Sequence, residues 1–410
     1  MAVEDPAKSK TTDREGRRFF ALMCAIGAFA ILSSTMSKNP VLPLFAQSLG
    51  VSGAELGLIA SASTIPGIII SLPAGSLSDI FGRRRVILAS LMIFASAPFL
   101  YLFINAAWQL ALVRFYHGFA TAIFGPVANA VIAERYPAQR GERISTFSSA
   151  TIVGRSIAPF LGGSILYVAN FRSVYLAVGL AAVTALLIGT RIPRDVGTDS
   201  GTRAPSTQRS LVRGVTRSWR GLASDTRILV TSLVEAIQYL TYGSFEFFLV
   251  LFAKSLGMND FLIGVISGVQ LVSVVLTKPF MGRLSDKMGR RPVIVVGLLV
   301  GGLPLLLSPF ASGFAALALV SIAYGLGFSV VTSSTAAYVA DLTSKEIYGS
   351  AMGFLSTIMD VGQASGPIIT GVAVAAFGFV LAFQSLGVLL FAVTGIFAAS
   401  SLIARSASSS

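Results

Sequence analysis

Eight ionisable side chains sit in runs that are otherwise apolar. Lys38, Arg114, His117 and Arg155 lie in the first part of the chain, and Glu235, Glu246, Lys278 and Asp360 in the second. Charge inside apolar helices is costly and marks substrate pathways or proton relays. A carboxylate among apolar neighbours can exchange a proton near neutral pH, because burial disfavours its charged form and a nearby cation favours it. Glu235 and Asp360 have that setting, while Glu246 lies nearer a helix end. Lys38, Arg114 and Arg155 would suit an anionic or zwitterionic molecule. Tyr239, Tyr242, Phe245, Phe247 and Phe248 offer aromatic surface to an amphipathic one. His117 could titrate near neutrality, though a packed, hydrogen-bonded histidine is the plainer reading. Lys278 can snorkel from a helix end. Each acidic residue could equally be half of an ion pair between helices.

The elements that must hold these charges are membrane spans. The chain is 54% hydrophobic and 12% charged, with a mean hydropathy of +0.78. About 20 apolar residues cross the roughly 30 Å hydrocarbon core of a bilayer. The pattern predicts twelve spans: 19–47, 54–76, 86–104, 107–133, 144–169, 173–191, 228–254, 261–283, 293–311, 314–340, 349–376 and 379–404. Barrel strands would alternate in ten-residue segments, and these runs do not. The expected fold is therefore an all-α polytopic membrane protein.

The net charge of +13 does not indicate nucleic-acid binding. Twenty-five of the 31 Lys and Arg residues fall in the N-terminal tail, the even-numbered loops and the C-terminal tail. Cytoplasmic loops carry such an excess. Both termini are thus expected in the cytoplasm, with the basic loops touching anionic lipid. The tail before span 1 mixes charges, and span 1 is too long for the core of a cleavable signal peptide. The lone Cys24 excludes an intramolecular disulfide and any multi-cysteine metal site. No metal is expected. The expected location is a cell (inner or plasma) membrane.

The chain repeats itself. Residues 44–87 align with 251–294 at an offset of 207 without gaps, and 17 of those 44 positions are identical. Gly118 matches Gly325, and Glu134 matches Asp341; one residue later in register, Pro159 and Gly163 match Pro367 and Gly371. Such internal duplication identifies repeat architecture. The predicted units are a tail (1–18), a six-helix bundle (19–191), a basic linker (192–227), a second bundle (228–405) and a short tail (406–410), the bundles related by a pseudo-two-fold axis. Within the linker, Leu211, Val215, Trp219 and Leu222 recur at helical spacing among Arg213, Arg217 and Arg220. This stretch is either a short basic helix on the inner membrane surface or an unstructured linker.

The best-matched piece of the repeat is a charged turn, GSLSDIFGRRR at 75–85 and GRLSDKMGRRP at 282–292. Gly75, Gly82, Gly282 and Gly289 permit tight backbone geometry. Asp79 and Asp286 can accept hydrogen bonds from arginine, and Arg83, Arg84, Arg290 and Arg291 can supply them. Two copies at symmetric positions suggest a charged latch between bundles; a topology signal alone is the simpler alternative. G-x-L-S-D-x-x-G-R-R after the second span resembles the signature of the major facilitator superfamily. That resemblance extends over spans 1 to 12 and implies that the turn closes the cytoplasmic side, its Asp docking on a helix of the other bundle.

Further stretches add to the resemblance. VRFYHGFATA, with Arg114 and Gly118, is similar to the family's span-4 R-x-x-x-G element, whose arginine is implicated in proton coupling. GRSIAPFLGG, with Gly154, Pro159, Gly162 and Gly163, resembles the span-5 element of the drug:proton antiporter branch, although Ala158 stands where that element has its middle glycine. GQASGPIITG in span 11, with Gly366 and Pro367, echoes it, and KNPVLPLFAQSLG resembles the P-x-x-P end of span 1 in that branch. Small residues also simply let membrane helices pack closely.

No G-x-x-x-x-G-K-[ST] loop occurs, so ATP-cradling chemistry of that type is absent. No cofactor is expected; the energy source would be a proton gradient. The expected partners are a small-molecule substrate, protons and the lipid bilayer, and the expected state is a monomer. Span 1 lacks the carboxylate that drug exporters of this branch often use for cations, and Lys38 lies in it instead. The leading expectation is proton-coupled efflux of an amphipathic compound. The alternative is a symporter or facilitator for an organic anion or zwitterion. A receptor or scaffold would not need intramembrane charges, and one His with one Cys leaves an enzyme little chemistry.

Overall fold

Apolar length and the prolines within it determine the elements. In the computed structural model, residues 6–194, 219–344 and 347–406 are described, with side chains outside 6–14, 71–77 and 401–406. The first predicted span holds α1 (Pro6–Lys38) and α2 (Val41–Ser48), separated at Pro40, which lacks the donor a continuing helix needs. The second holds α3 (Ala54–Ala62) and α4 (Ile65–Phe81), broken at Ser63 and Thr64 just ahead of Pro66. Then come α5 (Arg83–Leu100), α6 (Ala107–Arg135), α7 (Arg140–Val168) and α8 (Phe171–Gly189). A short segment, α9 (219–224), precedes α10 (Thr226–Ser255), α11 (Asp260–Met288), α12 (Arg290–Leu307), α13 (Phe314–Asp341) and α14 (Tyr348–Ser406).

All α-helices and short 3-10 turns aside, the described residues hold no other regular structure. Ten of their helices are long and apolar enough to cross a membrane. The last, α14, has 59 residues, about 90 Å if straight and three times a bilayer core. It is two helices joined at Gly378, where φ is 76°, a value open to glycine and costly for other residues. Gly378 falls between the spans read as 349–376 and 379–404.

The repeats pack in parallel ways. In the first, α1 lies on α7 and α8, and α5 on α6 and α8; in the second, α10 lies on α14, and α12 on α13 and α14. The repeats meet along α7–α11 and α3–α14. These contacts lie toward the face opposite the turns at Gly82 and Gly289. There a Cβ on Gly163 would come within 2.7 Å of the Asp260 carbonyl and the Gly264 Cα. The Ser61 hydroxyl donates to the Ala364 carbonyl at 2.5 Å. Gly163→Val should therefore wedge α7 from α11, destabilising this closed face by about 1–3 kcal/mol, the usual cost of overpacking. Faster thiol labelling of a cysteine replacing Ser267, buried on α11, would report it; unchanged labelling would contradict the contact.

The basic linker is only partly within the described residues, and Leu211, Val215, Arg213 and Arg217 lie outside them. Where it is described, α9 packs against the second repeat. Leu222 is buried with Ile228, Val339, Ala351, Phe354 and Leu355. The Trp219 ring meets Phe354 edge-on at 5.6 Å.

Candidate functional site

The charged turns have the same anatomy in both copies. Gly82 and Gly289 each have φ +89°, which lets α4 end and α5 begin within one residue, and likewise α11 and α12. In the first copy, the Arg83 guanidinium contacts Asp79 at 2.5 Å and Glu134 at 2.6 Å, and it donates to Ser78. In the second, Arg290 contacts Asp286 at 2.5 Å and Asp341 at 2.8 Å, and it donates to Ser285 at 2.7 Å. Glu134 and Asp341 complete these clusters. The sequence carried their signal, since they match at the repeat offset, but not their role. The second arginine of each turn ties it elsewhere: Arg84 to the Ile192 carbonyl at 2.7 Å, Arg291 to the Tyr338 hydroxyl at 2.6 Å.

Among the described residues, the ion pairs of each cluster stay within its own repeat. The repeats meet at the opposite face, so no engaged latch between bundles is seen among the described residues. Asp79 and Asp286 are similarly exposed, at 52% and 58%, whereas Arg83 is 7% exposed and Arg290 19%. The asymmetry between copies therefore resides in the arginines. Removing Arg83 would leave two facing carboxylates around a buried gap. Arg83→Gln should destabilise by about 2 kcal/mol, and Arg290→Gln by about half that, in line with hydrogen bonds to charged groups at buried and exposed sites. Thermal unfolding of the two variants checks the order; equal losses would refute it.

At the opposite face one ion pair crosses between repeats. Lys38 Nζ lies 2.8 Å from Glu246 Oε2, with side-chain exposures of 30% and 7%. Asn39 Nδ2 donates to Glu246 Oε1 at 3.3 Å, and the Tyr242 hydroxyl does so at 3.4 Å. Glu246 is thus not the hydrated carboxylate its place near a helix end suggested. Lys38 and Glu246, one from each repeat, thus face each other directly.

The interior holds a second charged group. Glu235, 4% exposed, accepts a hydrogen bond from Thr335, and Lys278 is within its electrostatic reach. Tyr239, one turn along α10, lies within reach of Glu235, Asp360 and Arg155; Arg155 also reaches Tyr242 and Lys278. Asp360 and Tyr239 are half-buried, and Arg155 is exposed. Tyr239 and Tyr242 pack on Phe328, at 5.1 and 4.2 Å between rings. Four charges and an aromatic surface are thus gathered where α7, α10, α11 and α14 converge. Lys278, read as a snorkelling residue, belongs to this group.

Arg114 stands elsewhere. It is 3% exposed and donates to Ser63 Oγ at 2.5 Å. Residues four apart share a helix face, and Gly118 faces the Ser63 carbonyl so closely that a Cβ would collide. The R-x-x-x-G spacing thus seats α6 on the α3–α4 break, the arginine binding it and the glycine admitting it. The span-5 glycines divide their contacts: Gly154 meets Ala28, Gly162 meets Met36 and Val41, and Gly163 meets α11, while the Pro159 carbonyl faces Gly264. Gly366 abuts the Leu240 carbonyl, and the Pro367 carbonyl approaches Gly57. Gly75 lies in α4 and Gly282 in α11.

Comparison with known proteins agrees with this construction. The family model described as Major Facilitator Superfamily matches residues 19–259 and 231–409. The chain is 26% identical over 362 residues to a protein of Lactococcus lactis subsp. lactis (strain IL1403) named multi-drug resistance efflux pump PmrA homolog, with 86% of this chain and 87% of the relative covered. It is also 26% identical over 379 residues to multidrug resistance protein MdtG of Salmonella schwarzengrund (strain CVM19633), covering 89% and 91%. Among solved structures, the nucleoside transporter NupG superposes with a TM-score of 0.76 at 16% identity, covering 93% of this chain and 98% of that one. A bacterial homolog of the human lysosomal transporter Spinster gives 0.78 at 14%, covering 94% and 95%. With its all-helical fold and a family match over nearly its whole length, the chain belongs to the Major Facilitator Superfamily and is a membrane transporter, not an enzyme.

Proposed function

We propose that this transporter exports a small amphipathic compound in exchange for protons, by alternating access. The observation that carries this reading is the interior group: Glu235 and Asp360 beside Tyr239 on α10, with Arg155 across from them. Carboxylates within a membrane bundle are the usual proton carriers, and a tyrosine–phenylalanine surface suits an amphipathic cargo. The named relatives in drug efflux support the direction. In this reading α1–α2 and α3–α4 each make one crossing and α14 two. That gives twelve crossings in two bundles, 19–191 and 228–405, joined by the basic linker 192–227. The basic turns and both termini face the cytoplasm of a cell (inner or plasma) membrane, and the protein acts as a monomer. The face closed by Lys38–Glu246 is then the outer one, and the turn clusters rim an open inner side.

The test is efflux from proteoliposomes under an imposed pH gradient. Flux that follows the gradient supports the reading, and flux indifferent to it overturns proton coupling. A second reading, a symporter or facilitator for an organic anion or zwitterion, draws on Arg155 and Lys278 in the same group. Counterflow without a pH gradient, abolished by Arg155→Ala, would favour it.

A further inference from the structure

Arg114 is a buried cation with no counter-ion. It is 3% exposed, and it forms no ion pair among the described residues. Its Nε has no hydrogen-bond partner. An uncompensated charge in a bundle interior is among the costliest features a membrane protein can keep.

Its neighbours share the deficit. His117 is 2% exposed and neither ring nitrogen has a partner. Tyr101 and Tyr175 are each 1% exposed, and neither hydroxyl has a partner. The two tyrosine rings stack at 4.4 Å and 2°, and Tyr101 meets the His117 ring edge-on at 6.2 Å. The guanidinium is within electrostatic reach of all three side chains and lies close enough to the Tyr101 hydroxyl to interact with it directly. Buried polar groups are ordinarily satisfied. Here the Arg114 Nε, both His117 ring nitrogens and the Tyr175 hydroxyl, on α6 and α8, have no partner, beside Tyr101 in the turn after α5.

The second repeat shows that the fold does not demand charge at this place. At the 207 offset, Arg114 corresponds to Ser321, His117 to Tyr324, Tyr101 to Ser308 and Ser63 to Gln270. Tyr324 is satisfied by Thr241 at 3.0 Å and Ser308 by the Leu305 carbonyl at 2.9 Å. The equivalent position is neutral: Tyr324 and Ser308 are internally paired, while Ser321 Oγ and Gln270 Nε2 are buried without a partner but carry no charge.

We propose that Arg114, Tyr101, Tyr175 and His117 form an internal site for a small monovalent anion, a halide such as chloride. A guanidinium N–H, two phenolic O–H groups and an imidazole N–H can all donate to one centre. A single cation matches a single negative charge, whereas sulfate or phosphate would bury a surplus one. All four side chains are at most 3% exposed, which favours a small anion over an organic one with a tail. The inference does not depend on what the transporter carries, and its test involves no transport.

The test is thermal unfolding of the purified full-length protein, followed through Trp108 and Trp219, with bromide or chloride replacing gluconate at constant ionic strength. A saturable, halide-specific rise in Tm is expected. Tyr175→Phe should raise the half-saturating halide concentration about tenfold, the loss of one hydrogen bond to a charged ligand. Arg114→Gln should abolish the response. If that variant does not fold, Tyr101→Phe and Tyr175→Phe decide. A bromide anomalous peak within hydrogen-bond distance of Arg114 would complete the assignment. A wild-type Tm indifferent to halide, a response unchanged in both tyrosine variants, or bromide crystals without that peak would each overturn it.

Discussion

Glu235→Gln is expected to abolish proton-driven substrate accumulation while leaving the protein folded. The substitution keeps size and the acceptor for Thr335 but removes the exchangeable proton. Each proton exchanged across a gradient of one pH unit supplies about 1.4 kcal/mol, roughly a tenfold substrate gradient. In proteoliposomes the wild type should reach that ratio per proton exchanged, and the variant about unity. Exchange of labelled for unlabelled substrate without a gradient should persist, because the protein no longer needs to release a proton to change state. Asp360→Asn is expected to give a partial loss, since Asp360 is only half-buried and water can substitute for part of its role. Undiminished accumulation by both variants would remove these carboxylates from the coupling mechanism.

The second large effect concerns Lys38 and Glu246. Lys38→Glu should open the face that this pair closes. Losing one partner of a buried pair costs about 3–5 kcal/mol, and the 30% exposure of Lys38 places this case near 3. That corresponds to a shift of roughly a hundredfold in the balance between closed and open forms. Glu246→Lys should act in the same direction, and the double swap Lys38→Glu/Glu246→Lys should restore the closed form. Spin labels at Ser52 and Ala376, beside the approach of Gly53 to Ala375, would report the separation. If the double swap behaves as the sum of the single changes, the pair is not what holds the face.

Different parts of this arrangement were legible to different degrees. The helices were readable because lipid leaves the backbone no other option than internal hydrogen bonding. The Gly378 break and the interruption before Pro66 were also marked by residue type. The turn clusters were readable through the repeat, which paired Glu134 with Asp341 as it paired Asp79 with Asp286. The meeting of Lys38 and Glu246 was only half visible. Lys38 falls at the repeat offset on Phe245, next to Glu246, but near-equivalent residues touch only where both flank the axis relating the copies, and distance from that axis leaves no trace in spacing. The same limit hid the gathering of Lys278 with Glu235 and Asp360, and the isolation of Arg114. Side chains on different helices meet according to helix rotation, which many sequences can satisfy. The packing of α9 was not legible for a related reason: an apolar stripe on a basic helix serves lipid and protein equally well.

That docking has a mechanical consequence. With Leu222 and Trp219 anchored on α13 and α14, the second repeat carries α9 with it when it moves. Whatever one repeat senses can reach its twin sideways, through the seams where α7 faces α11 and α3 faces α14.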